Sequence, residues 1–467
     1  MERVTMNRTM RVRQILQFLR FQPFDTSTVE GRSRERYRLI ALTSSSNLIS
    51  KFVISLIGLV SVPLTINYLG KEQFGLWMVV SSLVVWIQLA DFGISNGLVN
   101  ALSEANGKDD RDAAQAYIAT ALVAISAISI LCFLPLVVLV SRLNWASILN
   151  LSGVYLPALA SKCFLVAGLV IVFGFPISVI SKIYVAFQLG YMISILQVLS
   201  SLCSLGGILI SIYFELDLPW LVFLVSIGPV FGNLISWFLI KKHITWYKLN
   251  LQLVSRSALN RVLSSSIPLF LFQIGALLVT ELVNVVIARV GTLTMVADYN
   301  ILLRIYMLYS FVAVSLSSPF YPAIREAFEK RELNWVRDSI KRAFIIRIGV
   351  LFLLSFPLLA IGDWLITIWI RQQLESSFGL LGWISFMLCL IFAGTSSGLS
   401  EILISLDDIW SQIKIVFTSA LVTLLGICLL IRVIGLSSVY VAWSLSTIYP
   451  IYYLYGKLQT KLEHTNQ

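Results

Sequence analysis

Residues 88–110 read QLADFGISNGLVNALSEANGKDD, and they follow a run from Gly75 to Ile87 that is almost wholly apolar. An apolar run of this kind is a helix headed across a bilayer. Asp91, Gly93, Asn96, Gly97 and Asn100 then interrupt it before the charge cluster at Glu104–Asp110. Glycine loosens a helix, and a carboxylate near the edge of the hydrocarbon zone needs water or backbone donors. The stretch therefore predicts a membrane helix whose last turns face either a wet cleft or a built-in kink. Asp91 fits both readings: a polar lining residue, or a hydrogen-bond acceptor for nearby backbone.

The rest of the chain has the same character. Of 467 residues, 58% are hydrophobic and 13% charged, and the mean hydropathy is +0.86. A soluble protein of this length needs far more polar surface. Strand alternation is absent, which argues against a membrane β-barrel. No early apolar run ends in a small-residue cleavage site. The cysteines Cys132, Cys163, Cys203, Cys389 and Cys428 are scattered through apolar segments with neither metal nor disulfide spacing. The expected fold class is an all-α polytopic membrane protein of about twelve transmembrane helices. The spans fall near 40–67, 74–103, 114–140, 163–187, 190–213, 218–240, 263–289, 296–323, 341–370, 378–405, 411–432 and 437–456.

Basic residues set the orientation. By this span map roughly 27 of the 35 Lys and Arg lie on one side, placing both termini in the cytoplasm. The net charge of +11 is then a topology signal, and nucleic acid is not an expected partner. The organisation expected is a basic tail over 1–38, a six-helix bundle over 39–241, a linker over 242–262, a second bundle over 263–459 and a short tail over 460–467. ILQFLRF at 15–21 is too short to span, and reads as an interfacial helix or as part of a disordered basic tail. Six spans on each side of the linker predict parallel pseudo-repeats. YLG at 68–70 against RVG at 289–291, and SEA at 103–105 against REA at 325–327, support an offset of about 221 residues. Nine of the twelve prolines sit in or at the ends of spans, where each kinks a helix.

Ionisable residues deep in a span are costly, so each is a candidate for function. Lys51 shares one helical face with Ser44, Asn47 and Ser55. Span 7 carries Gln273, Thr280, Glu281 and Asn284, and span 8 carries Asn300 and Arg304. Glu281 and Arg304 lie at similar depths by helix rise, compatible with an ion pair between them. The candidate cleft residues are Lys51, Arg304, Asn47, Gln273, Asn284 and Asn300, with Glu281 and Asp91 as coupling or gating carboxylates. There is no phosphate-binding loop, and the only histidines, His243 and His464, fall outside the spans. Short outer loops without paired carboxylates disfavour an enzyme.

YLGKEQFGLW (68–77) followed by LADFGISNGLVNALSEANGKDDRDAA (89–114) resembles the polysaccharide-transporter branch of the multidrug/oligosaccharidyl-lipid/polysaccharide (MOP) exporter superfamily, the Wzx-type flippases. The resemblance spans about residues 40–455 and is most specific over 68–114. It implies a V of two six-helix bundles with a central cleft lined by helices 1, 2, 7 and 8, the helices that carry Lys51, Asp91, Glu281 and Arg304. It further implies transport of an undecaprenyl-diphosphate-linked oligosaccharide across the cytoplasmic membrane for O-antigen, capsule or exopolysaccharide synthesis. The expected partners are that lipid-linked substrate, membrane lipids, and a glycan polymerase with its chain-length machinery. No cofactor is expected beyond a coupling H+ or Na+. A multidrug cation antiporter of the same superfamily is the alternative, but it calls for an acid in helix 1, where this chain has Lys51. A membrane-embedded glycan polymerase or ligase would need a large folded outer loop, and a purely structural scaffold leaves the deep charges without a purpose.

Overall fold

The computed structural model describes residues 28–464, apart from 152–154, 248–249, 265–266, 318–319, 375–377 and 407. The segment 15–21 lies outside the described residues. The first helix, α1 (Val29–Ile87), has 59 residues, far more than one crossing needs. Gly70 folds it back on itself: φ 76° and ψ 163° are open to glycine and strained for other residues. No atom lies within 4 Å of a Cβ placed on Gly70, so the backbone and not the space demands glycine there. The two arms, 29–69 (α1a) and 71–87 (α1b), belong to spans 1 and 2.

Span 2 is broken where the opening stretch suggested. A 3-10 turn at Gln88–Asp91 is followed by Phe92 and Gly93, both left-handed at φ 48° and φ 77°. Helix α2 (Ile94–Gly107) then resumes the descent. The remaining helices of the first half are α3 (Arg111–Arg142), the short α4 (Trp145–Leu149), α5 (Tyr155–Ala186), α6 (Gly190–Tyr213) and α7 (Leu218–His243). Within the stretch expected as a linker, α8 (Arg256–Ser264) is helical and packs on α2 and α3.

The second half comprises α9 (Ile267–Thr280), α10 (Leu282–Val290), α11 (Leu293–Ser317), α12 (Phe320–Glu329), α13 (Leu333–Ser355), α14 (Leu358–Ile370), α15 (Gly379–Ser405), α16 (Ile409–Ile434) and α17 (Ser437–His464). Among the described residues, nine helices are long and apolar enough to cross a membrane. The pair α13 and α14, bent by 60° at the Pro357 junction, makes a tenth. One of the nine, Ala41–Asp91, is folded at Gly70 and serves two spans. Helix α17, 28 residues long, is more polar because of its tyrosines, serines and lysines. Counting both, the chain makes twelve passes, as expected.

Hydrophobic packing shows how the halves meet. One end of the molecule carries both described chain ends and is called the basic end here; the other is the far end. Toward the far end a single core cluster runs across both halves, with Ile66, Leu76 and Val80 joined to Ile287, Val296 and Ile301. Toward the basic end the core divides. Leu98, Ile118, Ile180 and Ile240 form one cluster in the first half, and Ile324, Val336, Ile402 and Leu454 form another in the second. With the apolar cores fused at the far end and divided toward the basic end, the two halves diverge as the arms of a V.

Candidate functional site

The seam between the halves is closed at the far end by specific contacts. Gly75 of α1b lies against the Leu293 backbone of α11, where a Cβ would fall 2.0 Å from the carbonyl oxygen. Glycine is required there for the two helices to approach. Beside it the Lys71 ammonium donates to Asp298 Oδ1 at 2.5 Å and to the Gln373 carbonyl at 2.5 Å. The Asp298 side chain is wholly buried, so this ion pair is desolvated and joins the halves directly. Arg289 donates to the Ser147 carbonyl, and Trp369 Nε1 to the Leu59 carbonyl at 2.8 Å.

Below this closure, α1a and α11 face each other with cations. Lys51 and Asn47 are exposed on α1a, and Arg304 is exposed on α11. A Cβ on Gly58 would stand 3.7 Å from Arg304 Nη1, so the guanidinium lies beside Gly58. Gly58 is two helical turns from Lys51 on the same face, about 10 Å along the axis. Both cations therefore point to one strip of the seam, and among the described residues neither forms a salt bridge.

The ion pair considered between Glu281 and Arg304 is not formed. Glu281 sits at the break between α9 and α10, near Ser82 of α1b. Ser82 Oγ in turn accepts from Asn284 Nδ2 at 2.7 Å, and Asn284 Oδ1 accepts from Asn300 Nδ2 at 2.7 Å. Asn284 and Asn300 are 4% and 8% exposed. The expectation that these two asparagines line a substrate cleft is corrected on this point. They form a buried ladder that ends on Ser82 and ties α1b to α10 and α11, because a buried amide must be paired.

Asp91 and Gln273 come together elsewhere, in a cavity of about 400 Å3 near the basic end. Asp91 does what the kink reading required: its carboxylate accepts from the backbone N–H of Gly93 at 2.9 Å and of Ser95 at 3.4 Å, fixing the break in span 2. It also lines the cavity, together with Asn96, Lys182 and Asn233. Asn96 Nδ2 donates to Gln273 Oε1 at 3.5 Å across the two halves, and Lys182 Nζ to Asn96 Oδ1 at 3.5 Å. Phe92 and Phe270 meet beside them, with ring centroids 6.1 Å apart.

Sequence reading missed three charged residues that the fold uses. Lys182 lies four residues from the end of α5. Asp298 gave no periodic signal. Arg347, near the basic start of span 9, is 2% exposed and clamps Glu401 at 3.1 and 3.2 Å while donating to Ser397 at 2.9 Å. The one available clue was an arginine six residues inside the expected span 341–370. Among the described residues no group of His, Cys, Asp and Glu is arranged to hold a metal ion.

Fold and seam define a polytopic helical membrane protein. Residues 42–328 match the family described as polysaccharide biosynthesis protein, and the chain belongs to that family. A putative O-antigen transporter of Salmonella typhi is 26% identical over 324 residues, 67% of this chain and 72% of that one. Among solved structures, an inward-facing multidrug resistance MATE family transporter of the MOP superfamily superimposes with a TM-score of 0.70. It is 13% identical and the match covers 90% of this chain and 99% of that one. The lipid II flippase MurJ, in an inward closed conformation, gives 0.67 at 14% identity, covering 89% of each chain. These two likenesses concern the fold.

Proposed function

We propose that this protein flips an undecaprenyl-diphosphate-linked oligosaccharide from the cytoplasmic to the outer leaflet of the cytoplasmic membrane, for polysaccharide assembly. The observation that carries the reading is the pair Lys51 and Arg304, which among the described residues form no salt bridge, on facing helices of a seam closed at the far end. A diphosphate is the anion such a pair suits: guanidinium and ammonium make short, charge-assisted bonds to phosphate oxygens. Asn47 and Gln273 supply neutral donors and acceptors for sugar hydroxyls. By the distribution of basic residues the basic end faces the cytoplasm, with both chain ends there. The resting molecule then receives substrate from the inner leaflet while its polyprenyl tail stays in lipid.

An anion leaving a negative interior gains about 2.3 kcal/mol per charge per 100 mV, so membrane potential alone assists this direction. Glu281 is the carboxylate to couple a proton or sodium ion, since Asp91 is engaged by backbone donors and serves as the hinge acceptor. No cofactor and no covalent step enter. The product is handed to a glycan polymerase and chain-length proteins on the outer side.

The test is export of lipid-linked glycan by proteoliposomes under an imposed potential. Lys51→Ala and Arg304→Ala are each expected to lose export while folded protein is retained, and Arg304→Lys to recover part of it, lacking the bidentate fork. Full export by Lys51→Ala at equal protein would remove the diphosphate site from the seam.

A further inference from the structure

A separate feature lies on the second half, away from the seam. Helices α13, α15 and α17 enclose a groove of about 740 Å3. On α13 its lining residues Arg337, Lys341, Ile345 and Ile348 succeed one another at intervals of four, four and three, along one helical face. They span about 16 Å of helix axis, roughly half of a 30 Å hydrocarbon core. The order is graded. Helix α13 enters from the basic end, so its two cations stand at the mouth and its isoleucines reach toward the midplane. Helix α17 runs the opposite way and agrees, with Gln459 near the mouth and Ile451 on the floor.

Arg337 and Lys341 are exposed, and among the described residues neither forms a salt bridge. The floor is open as well: nothing stands within 4 Å of a Cβ placed on Gly349. A cationic rim above an apolar trough one leaflet deep matches a molecule with an anionic head and a long hydrocarbon chain.

We propose that this groove binds one anionic glycerophospholipid from the leaflet at the basic end. Its phosphate sits between Arg337 and Lys341, and an acyl chain lies along Ile345 and Ile348 over Gly349. The lipid covers α13, the first member of the bent span, and leaves the seam free.

Native mass spectrometry of the purified full chain in detergent, titrated with phosphatidylglycerol or phosphatidylcholine, tests this. One phosphatidylglycerol is expected to bind at least tenfold more tightly than phosphatidylcholine. Arg337→Gln with Lys341→Gln is expected to weaken phosphatidylglycerol by about 25-fold, roughly fivefold for each cation lost, and to erase the headgroup preference. Gly349→Trp keeps both cations, fills the floor and is expected to lower occupancy by both lipids; it decides the matter if the double variant fails to fold. Arg342→Gln removes a charge at the same depth on another face and is expected to change nothing. Equal binding of the two lipids by the unaltered chain would overturn the proposal. So would unchanged binding by Gly349→Trp, or a loss in Arg342→Gln as large as in the double variant.

Discussion

At the scale of single residues, the structure separates charges that are satisfied from charges that are not. Arg347 is held by Glu401 and Ser397, and Lys71 by Asp298. Among the described residues, Lys51 and Arg304 face the seam without a carboxylate partner. Glu281 stands apart from them, near Ser82 at the end of the ladder Asn300–Asn284–Ser82. A structural Glu281–Arg304 pair would make the double variant Glu281→Gln, Arg304→Gln milder than either single change. Without that pair, the double variant is expected to stay as inactive in export as Arg304→Ala, and measurable recovery would reinstate the pairing. Asn284→Leu is expected to destabilise the protein by about 1–3 kcal/mol, because the Asn300 amide and the Ser82 hydroxyl lose their partner in a buried setting. Thermal unfolding in detergent reads this directly. The polar stripe of span 7 was legible in the sequence, but its direction was not. Gln273, Glu281 and Asn284 looked like one wet face because helical spacing fixes which residues share a side. It cannot show that Ser82, some 200 positions away, satisfies one of them. Lys182 and Arg347 were hidden for a related reason: near the end of a span, a lysine or arginine carries the same signal as a topology charge.

Among the elements, the spans themselves were the legible part. A bilayer requires some 20 apolar residues wherever the chain crosses, so each crossing announces itself without tertiary help. The fold-back of α1 at Gly70 and the break at Asp91–Gly93 were marked by their glycines. The 60° bend between α13 and α14 was marked only as one proline among several, because a kink angle is set by the neighbours a helix packs on. The helical character of α8 was not legible at all. It is a short basic amphipathic piece, and it holds its place by docking. Arg261 pairs with Glu104 at the end of α2, and Lys108 pairs with the same carboxylate at 2.7 Å. The hydrogen bond from Lys108, then that from Arg261, lowers the Glu104 pKa to about 2. The contribution is therefore present above the ordinary glutamate value near 4.3 and is lost as pH falls from there through about 2. Hydrogen exchange of residues 256–264 is expected to be flat from pH 7 to 5, once corrected for intrinsic rates, and to quicken below that. Glu104→Gln should show the faster exchange already at pH 7. Identical protection in Glu104→Gln would mean that Ala258 and Val262, both buried, hold α8 by packing alone.

For the whole molecule, the fused core at the far end and the divided cores at the basic end describe one of two states that a transporter must visit. What holds this state is a small set of contacts, and Lys71–Asp298 is the one with a wholly buried charge. If the pair is a latch between halves that rock against each other, weakening it favours parting at the far end and closing at the basic end together. Asp298→Asn keeps the shape of the side chain and removes its charge. A hydrogen bond to a charged group contributes about 1.5–3 kcal/mol, so the ratio of the two states should shift by roughly 30-fold for a loss near 2 kcal/mol. Two cysteine reporters separate a latch from general loosening. Leu293→Cys lies in the far closure against Gly75, and Asn47→Cys lies exposed on α1a, one turn from Lys51 toward the basic end. With Asp298→Asn, maleimide labelling is expected to rise at position 293 and fall at position 47. A rise at both positions would mean that the variant merely destabilises the fold, and no change at either would assign the far closure to Gly75 and the apolar core across it. The opposite signs follow if the two halves rock as rigid bodies about a point between the ends, so that opening one end closes the other.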